Sequence, residues 1–316
     1  MNSFRKIAVS FGIFAALAAC DAAAYPDKPV HYYIGFAAGG ESDIAARFQQ
    51  QVFRRKYSHE MLIEYKPGAG GGLAWAQLNG MPADGYTIMG VNLPTIVLQP
   101  MEGEVQYKTE DIVPVYWFHY TPDAIVVAAD SPYKTFPDLV KAAKEKPGTL
   151  SFAGSGTNSA NHLAHEKLDV LAGIKTIYAP FKGTGDLTSS VLGQHVTGAV
   201  SSITLAIQLR GKARALAVAT EKRHPQLPDV PTFKELGFNW VGGAYRGVAV
   251  PKSTPPAIRK EVSEMIEALN KDPELRKQME DGGFVVVDIS LDGMPAFMQQ
   301  QSKEYIEMAR RMGLLK

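Results

Sequence analysis

The sequence predicts an α/β fold of two lobes, in which each lobe is a mostly parallel sheet flanked by helices. Apolar, strand-like runs alternate with helical patterns along most of the chain. The 316 residues are enough for two domains of ordinary size. Proline-bearing segments at 120–123 and 243–251 suit crossings between two lobes. The middle of the chain would then form one lobe, and both ends would join in the other.

The individual elements follow from the spacing of apolar residues. Predicted strands lie at residues 30–34, 61–65, 87–91, 124–129, 150–153, 176–179, 198–201, 215–219, 247–250 and 284–288. Predicted helices lie at residues 43–57, 72–80, 136–144, 159–171, 186–192, 256–270, 273–281 and 291–312. The methionines of the last helix suit core packing better than a metal site. The two crossings assign 25–121 and 251–316 to lobe 1 and 122–250 to lobe 2.

Residues 1–24 are typical of an export signal. Arg5 and Lys6 precede an apolar run that is too short to span a bilayer. The sequence is consistent with two alternative cleavage sites. The small residues before Tyr25 suit an ordinary signal peptidase, and the segment 17–20 resembles a bacterial lipobox in which Cys20 is lipidated. The expected location is therefore the periplasm, either soluble or anchored by a lipid on Cys20.

Composition excludes several classes of function. The 33 basic and 32 acidic residues nearly cancel, so nothing indicates a nucleic acid or an anionic membrane as the partner. The chain has one cysteine and cannot form an internal disulfide, so its stability must come from hydrophobic cores.

A glycine turn at 36–47 is the first candidate site. Phe36 follows a predicted strand, Gly39 and Gly40 make the turn, and a helix follows for which Ser42 is a plausible N-cap. The glycines let the backbone approach a ligand, and the helix start offers unpaired N–H groups and a positive dipole end. Together these features predict an anion site, although such turns are also common without a ligand.

Further glycine turns follow other strands, at 67–72, 154–159 and 181–186. In open α/β sheets, ligands bind beyond the carboxyl ends of the strands, where such turns meet. The turn at 154–159 adds Ser and Thr hydroxyls to its backbone N–H groups, a set that can hold a carboxylate without a cation. Some of these turns are expected to be simple connections.

The sequence gives little support for a metal site or for a catalytic nucleophile. His162 and His165 share a helical face, but no third ligand is near in sequence, so no metal site is predicted. Gly154-Ser155-Gly156 lacks the full pattern of a nucleophile elbow. The prediction is therefore no enzyme and no cofactor. A hydrolase remains the alternative, and a turnover assay with model esters would test it.

Short motifs in a specific order give the chain a family resemblance. They lie at 25–30, 36–47, 67–71, 83–87, 130–135, 173–174, 182–183 and 227–232. The sequence resembles the receptor components of tripartite tricarboxylate transporters, the Bug-type periplasmic solute-binding proteins. The resemblance implies a type II periplasmic binding fold that closes on a small organic carboxylate and delivers it to a membrane permease. A receptor that presents the same clamp to a sensor kinase is the alternative, and a monomer is expected.

The resemblance also implies the binding residues. The matching positions are Phe36, Gly39, Gly40, Ser42, Asp43, Ser155, Thr157, Asn158, Ser159 and His162. The chain departs from the family at 201–204, where Ser202 stands near a place that is usually acidic or amide, which disfavours an amino-acid ligand. It departs again at Arg246, where the family often has an aromatic residue. An arginine facing the cleft would favour a dicarboxylate; an arginine on the surface or in an interlobe ion pair is the alternative.

Overall fold

The computed structural model describes residues 25–102, 105–157, 159–313 and 315. The predicted export signal, Cys20 and the predicted ligand residue Asn158 lie outside this part of the chain. No helix within the described ranges is long and apolar enough to cross a membrane.

The described residues form the alternating strands and helices of an α/β fold. The strands are β1 (Val30–Ile34), β2 (Met61–Tyr65), β3 (Thr87–Leu93), β4 (Val113–Ala128), β5 (Ser151–Ser155), β6 (Ile177–Phe181), β7 (Gly198–Ser202), β8 (Ala213–Val218), β9 (Gly243–Val250) and β10 (Val285–Ile289). The helices are α1 (Glu41–Tyr57), α2 (Gly72–Gln77), α3 (Thr95–Glu102), α4 (Phe136–Glu145), α5 (Ala160–Ala172), α6 (Thr184–Leu192), α7 (Ile203–Gln208), α8 (Pro256–Asn270), α9 (Pro273–Asp281) and α10 (Met294–Arg311).

Strand β4 joins two lobes. Its first part pairs with β9 and β10, whereas its second part, from Asp123 onward, pairs with β7 and β8. The full path of the sheet runs β2-β1-β3-β9-β4-β7-β5-β6. One lobe therefore carries β1, β2, β3, β9 and β10, and the other carries β5, β6, β7 and β8.

Each sheet is mixed rather than mostly parallel, which corrects the prediction. Strand β1 runs parallel to β2 and β3, and β5 runs parallel to β6 and β7. Strands β4 and β9 carry the chain between the lobes and run antiparallel to their neighbours. Strand β9 lies within residues 122–250, which were predicted to form the second lobe. Its strand partners, β3 and the first part of β4, belong to the first lobe.

The two crossings lie side by side. The backbone N–H of Asp123 donates to the carbonyl of Gly242 at 3.0 Å, and that of Ala219 donates to the carbonyl of Asp123 at 2.8 Å. A Cβ at Gly243 would lie 2.1 Å from the carbonyl oxygen of Thr121, so the close approach of the two strands requires glycine there. The two crossings are thus tied together by backbone hydrogen bonds, and position 243 has no room for a side chain.

Both faces of each sheet are covered by hydrophobic cores. In the first lobe, one core packs under α1, α8 and α9 and another under α2, α3 and α10. In the second lobe, one core packs under α4 and α5 and another under α6 and α7. This burial fixes the helix starts at the sheet edges where the glycine turns lie.

Candidate functional site

A polar cavity lies between the lobes, at the carboxyl ends of β1, β3, β5 and β6. It encloses about 390 Å³ of empty volume, part of which is open to solvent. Its lining consists of Phe36, Gly40, Glu41, Ser42, Asn92, Thr95, Ser155, Ser159, Ala160, Asn161, Thr184 and Arg246. The predicted meeting of turns beyond strand ends is therefore present in the structure.

Four helices point their N-termini at this cavity. Helix α1 begins at Glu41, α3 at Thr95, α5 at Ala160 and α6 at Thr184. Each start offers N–H groups that lack a partner within the helix, together with the positive end of the helix dipole. The cavity is consequently an electropositive environment without an unpaired cationic side chain among its lining residues.

The start of α1 differs from the prediction in one respect. Gly40 is the N-cap residue, and no side chain caps the helix. Ser42, predicted to be the cap, is inside the first turn and lines the cavity instead. An uncapped helix start leaves its N–H groups available to a ligand.

Hydrogen bonds hold the start of α5 in place. The hydroxyl of Ser159 caps the helix, accepting from the backbone N–H of His162 at 3.3 Å and donating to the carbonyl of Gly156 at 3.0 Å. The backbone N–H of Ser155 donates to Asn161 Oδ1 at 3.0 Å. The hydroxyls of Ser155 and Thr184 lie 3.2 Å apart. These contacts orient the polar groups before any ligand arrives.

A buried ion pair forms one wall of the cavity. Arg246 Nη2 donates to Glu41 Oε2, and Arg246 Nη1 donates to Thr121 Oγ1 at 2.5 Å. Glu41 Oε1 accepts from the hydroxyls of Ser202 and Thr204, which belong to the second lobe. The Glu41 side chain is 4% exposed and the Arg246 side chain 11%. Arg246 therefore faces the cavity rather than the surface, but its guanidinium is paired with Glu41 of the same lobe, so the ion pair is not an interlobe one.

Two lining residues have unmatched polar atoms. Thr95 is 1% exposed and its Oγ1 has no hydrogen-bond partner, and the same holds for Nε of Arg246. A buried polar atom without a partner costs about 1–3 kcal/mol. A polar ligand that satisfied these atoms would recover part of that cost.

Several predicted residues line this cavity. They are Phe36, Gly40, Ser42, Ser155, Ser159 and Arg246. Their contact with a ligand stays a prediction.

Two predicted residues support the first turn instead. Asp43 is buried, and its carboxylate accepts from the backbone N–H of Gly39 at 2.7 Å and from Tyr65 Oη at 2.6 Å. It also pairs with Arg47 Nε at 2.8 Å. With its oxygens used in this way, Asp43 fixes the turn around Gly39 rather than facing the cavity.

Two further residues lie away from the cavity lining. Thr157, which was predicted to bind the ligand, is exposed and is not among the residues that line the cavity. His162 stacks on the Tyr178 ring with centroids 4.4 Å apart, and burial lowers its pKa. Ser202 is buried and reaches the site indirectly, through Glu41.

The sequence interpretation missed several lining residues. Glu41, Thr184 and Asn161 stand in or beside the glycine turns that predicted the site, so an acidic residue directly after Gly40 was a usable signal. Asn92 and Thr95 come from the end of β3 and the start of α3, a helix that no pattern indicated. Within the described ranges, no group of three or more His, Cys, Asp and Glu side chains is placed to hold a metal ion.

Comparison with known proteins identifies the family. A model of the tripartite tricarboxylate transporter family receptor matches residues 45–314. The chain belongs to this family. Because the family consists of receptors, the prediction that the chain is not an enzyme is confirmed.

Individual relatives agree with this assignment. A UPF0065 protein of Agrobacterium vitis is 31% identical over 287 residues, which cover 90% of this chain and 83% of that protein. The solved periplasmic binding protein BugD is 27% identical, with a TM-score of 0.86 over 92% of this chain and 100% of its own. An R. palustris protein solved with adipate is 23% identical, with a TM-score of 0.85 over 92% of this chain and 99% of its own, and shows the fold alone. The two-lobed type II periplasmic binding fold is thereby confirmed.

Proposed function

We propose that this receptor captures a small organic carboxylate between its lobes in the periplasm and delivers it to the permease of a tripartite tricarboxylate transporter. The observation that carries the proposal is the convergence of four helix N-termini on one polar cavity. Family membership supports the transporter as the partner.

The cavity offers donors to an anion from both lobes. The starts of α1 and α3 belong to the first lobe, and those of α5 and α6 to the second. Backbone N–H groups and the hydroxyls of Ser42, Thr95, Ser155 and Thr184 replace the water around a carboxylate. Because both lobes contribute donors, a bound anion stabilises the closed arrangement over an open one.

The preference for a dicarboxylate does not carry over from the sequence. It depended on an Arg246 guanidinium that was free to take a second carboxylate, and in the structure that guanidinium binds Glu41 and Thr121. The proposal therefore specifies one carboxylate on the ligand and does not require a second.

A thermal-shift screen tests the proposal. Mono-, di- and tricarboxylates, aromatic acids and amino acids are compared at equal ionic strength, with the corresponding primary alcohols as controls. A ligand at 100 times its dissociation constant stabilises the protein by about 2.7 kcal/mol. We expect at least one carboxylate and none of the alcohols to raise the melting temperature. A panel in which no carboxylate does so would contradict the proposal.

A further inference from the structure

Helix α5 packs into the hydrophobic cores of both lobes. Ala164, Leu168 and Ala172 recur at helical spacing and are buried in the core that α5 shares with α4 in the second lobe. Leu163, which is 9% exposed, is buried instead in the first-lobe core under α2, α3 and α10. Among the described residues of that core, Leu163 is the one that comes from the second lobe. Leu163 is therefore an apolar contact between the lobes.

A second cavity between the lobes shows which face of α5 makes this contact. It encloses about 310 Å³ of empty volume, part of which is open to solvent. Lys167 Nζ of α5 lies 4.0 Å from Met308 Sδ of α10, which belongs to the first lobe. Residues three and four apart on a helix share a face, so Leu163 and Lys167 point the same way. The residues that line the cavity are Pro94, Asp123, Ala160, Leu163, Ala164, Lys167, Gly242, Gly243, Tyr305 and Met308.

The same helix presents its N-terminus to the ligand cavity. Ser159, Ala160 and Asn161 line that cavity, and Ala160 lines the second cavity as well. Leu163 follows Ala160 by three residues, which is about 4.5 Å along the helix axis. Leu163 does not itself line the ligand cavity. Its influence on a ligand must therefore pass through the position of α5.

We propose that Leu163 is a positioning residue for ligand capture: its burial in the first lobe holds the start of α5 at the cavity and stabilises the closed arrangement of the lobes. This inference rests on the proposed function, since the group that Leu163 positions is an anion-binding helix start. Moving the lobes apart would return the Leu163 side chain to water, which is unfavourable. The ligand then supplies less of the free energy of closure, so its affinity depends on a residue that it does not touch.

Calorimetric titration of Leu163→Ala tests the proposal. The probes are butanoate, butanedioate, propane-1,2,3-tricarboxylate and benzoate, and the acid that the wild-type protein binds most tightly is used for every variant. We expect Leu163→Ala to bind this acid at least ~10-fold more weakly, because the closed arrangement loses a buried side chain. Leu163→Met keeps the apolar contact and should restore most of the affinity.

Two further variants of α5 separate closure of the lobes from a general disturbance of the helix. Leu168→Ala removes a side chain that is 1% exposed and lies in the second-lobe core, so it should lower the urea midpoint of unfolding and leave the affinity unchanged. Leu171→Ala, at a position that is 37% exposed, should change neither quantity appreciably. If Leu163→Ala does not fold, Leu163→Val is read in the same way, with circular dichroism as the check on folding.

The outcomes distinguish this inference from the proposed function. If Leu163→Ala binds the acid as tightly as wild type, or if Leu168→Ala loses as much affinity as Leu163→Ala, the inference is overturned. In either case the protein still binds a carboxylate, and the proposed function stands. A wild-type protein that binds no acid in the thermal-shift panel overturns both.

Discussion

Removing Arg246 should expose how strongly the cavity wall depends on its ion pair. In Arg246→Met the Glu41 carboxylate stays buried and keeps only the Ser202 and Thr204 hydroxyls as donors. Breaking a buried pair by removing one partner costs about 3–5 kcal/mol. We expect the low end, about 3 kcal/mol, because the two hydroxyls remain and the cleft can open to rehydrate the carboxylate.

Urea unfolding followed by circular dichroism measures this cost. The comparison is a double-mutant cycle of wild type, Arg246→Met, Glu41→Gln and the double variant. Because the double variant contains no unpaired charge, it should be more stable than Arg246→Met and the loss should be clearly less than additive. A loss below about 1 kcal/mol for Arg246→Met, or additive losses, would refute the assignment of a buried, mutually dependent pair.

Three further predictions concern the Ser155 hydroxyl in the cavity, the Asp123 carboxyl at the crossing between the lobes, and the backbone at Gly243. Ser155→Ala should weaken carboxylate binding by about 1–3 kcal/mol in calorimetry, whereas Thr157→Ala, at an exposed position, should not weaken it. Equal losses in the two variants would show that the binding site has been assigned to the wrong residues. Burial raises the pKa of Asp123 from 3.8 to about 7, so the folded protein holds a proton that the unfolded chain releases, and Asp123 destabilises the fold increasingly as pH rises from about 4 to 7. The melting temperature of Asp123→Asn relative to that of wild type should therefore rise between pH 5 and pH 7 and then level off toward pH 8. A difference that stays constant over this range would contradict the burial of Asp123. Gly243→Ala should cost at least about 2 kcal/mol in urea, whereas Gly80→Ala, which has open space for a Cβ, should be nearly neutral; similar losses would refute the tight crossing.

Local patterns were sufficient for most of the fold. Strand β1, the glycine turn and α1 were predicted from apolar spacing and two glycines, and the structure has them in that order. Strand β4 was predicted only in its second half, because Pro114 and Pro122 argue against a strand when nothing shows which neighbours it pairs with. Its partners β9 and β10 lie far away in the sequence, so the length of β4 is a property of the tertiary structure.

The candidate site was predictable where it is built from backbone. Glycine turns in the sequence indicate exposed backbone N–H groups. Residues of these turns, namely Gly40, Ser155 and Ser159, line the cavity. Side-chain pairing between distant parts of the chain left no local signal: Glu41 and Arg246 are far apart in sequence, and only the packed fold brings them together. The role expected of Arg246 therefore changed once its partner was known.

The central claim is that the cavity recognises a carboxylate, and the affinity of the best acid compared with its primary amide tests it most directly. The amide keeps the size and shape of the acid but loses its charge, and with it the charge-assisted hydrogen bonds from the helix starts. Calorimetry should show the acid binding at least ~10-fold more tightly than the amide. Equal affinities for the two would contradict the account.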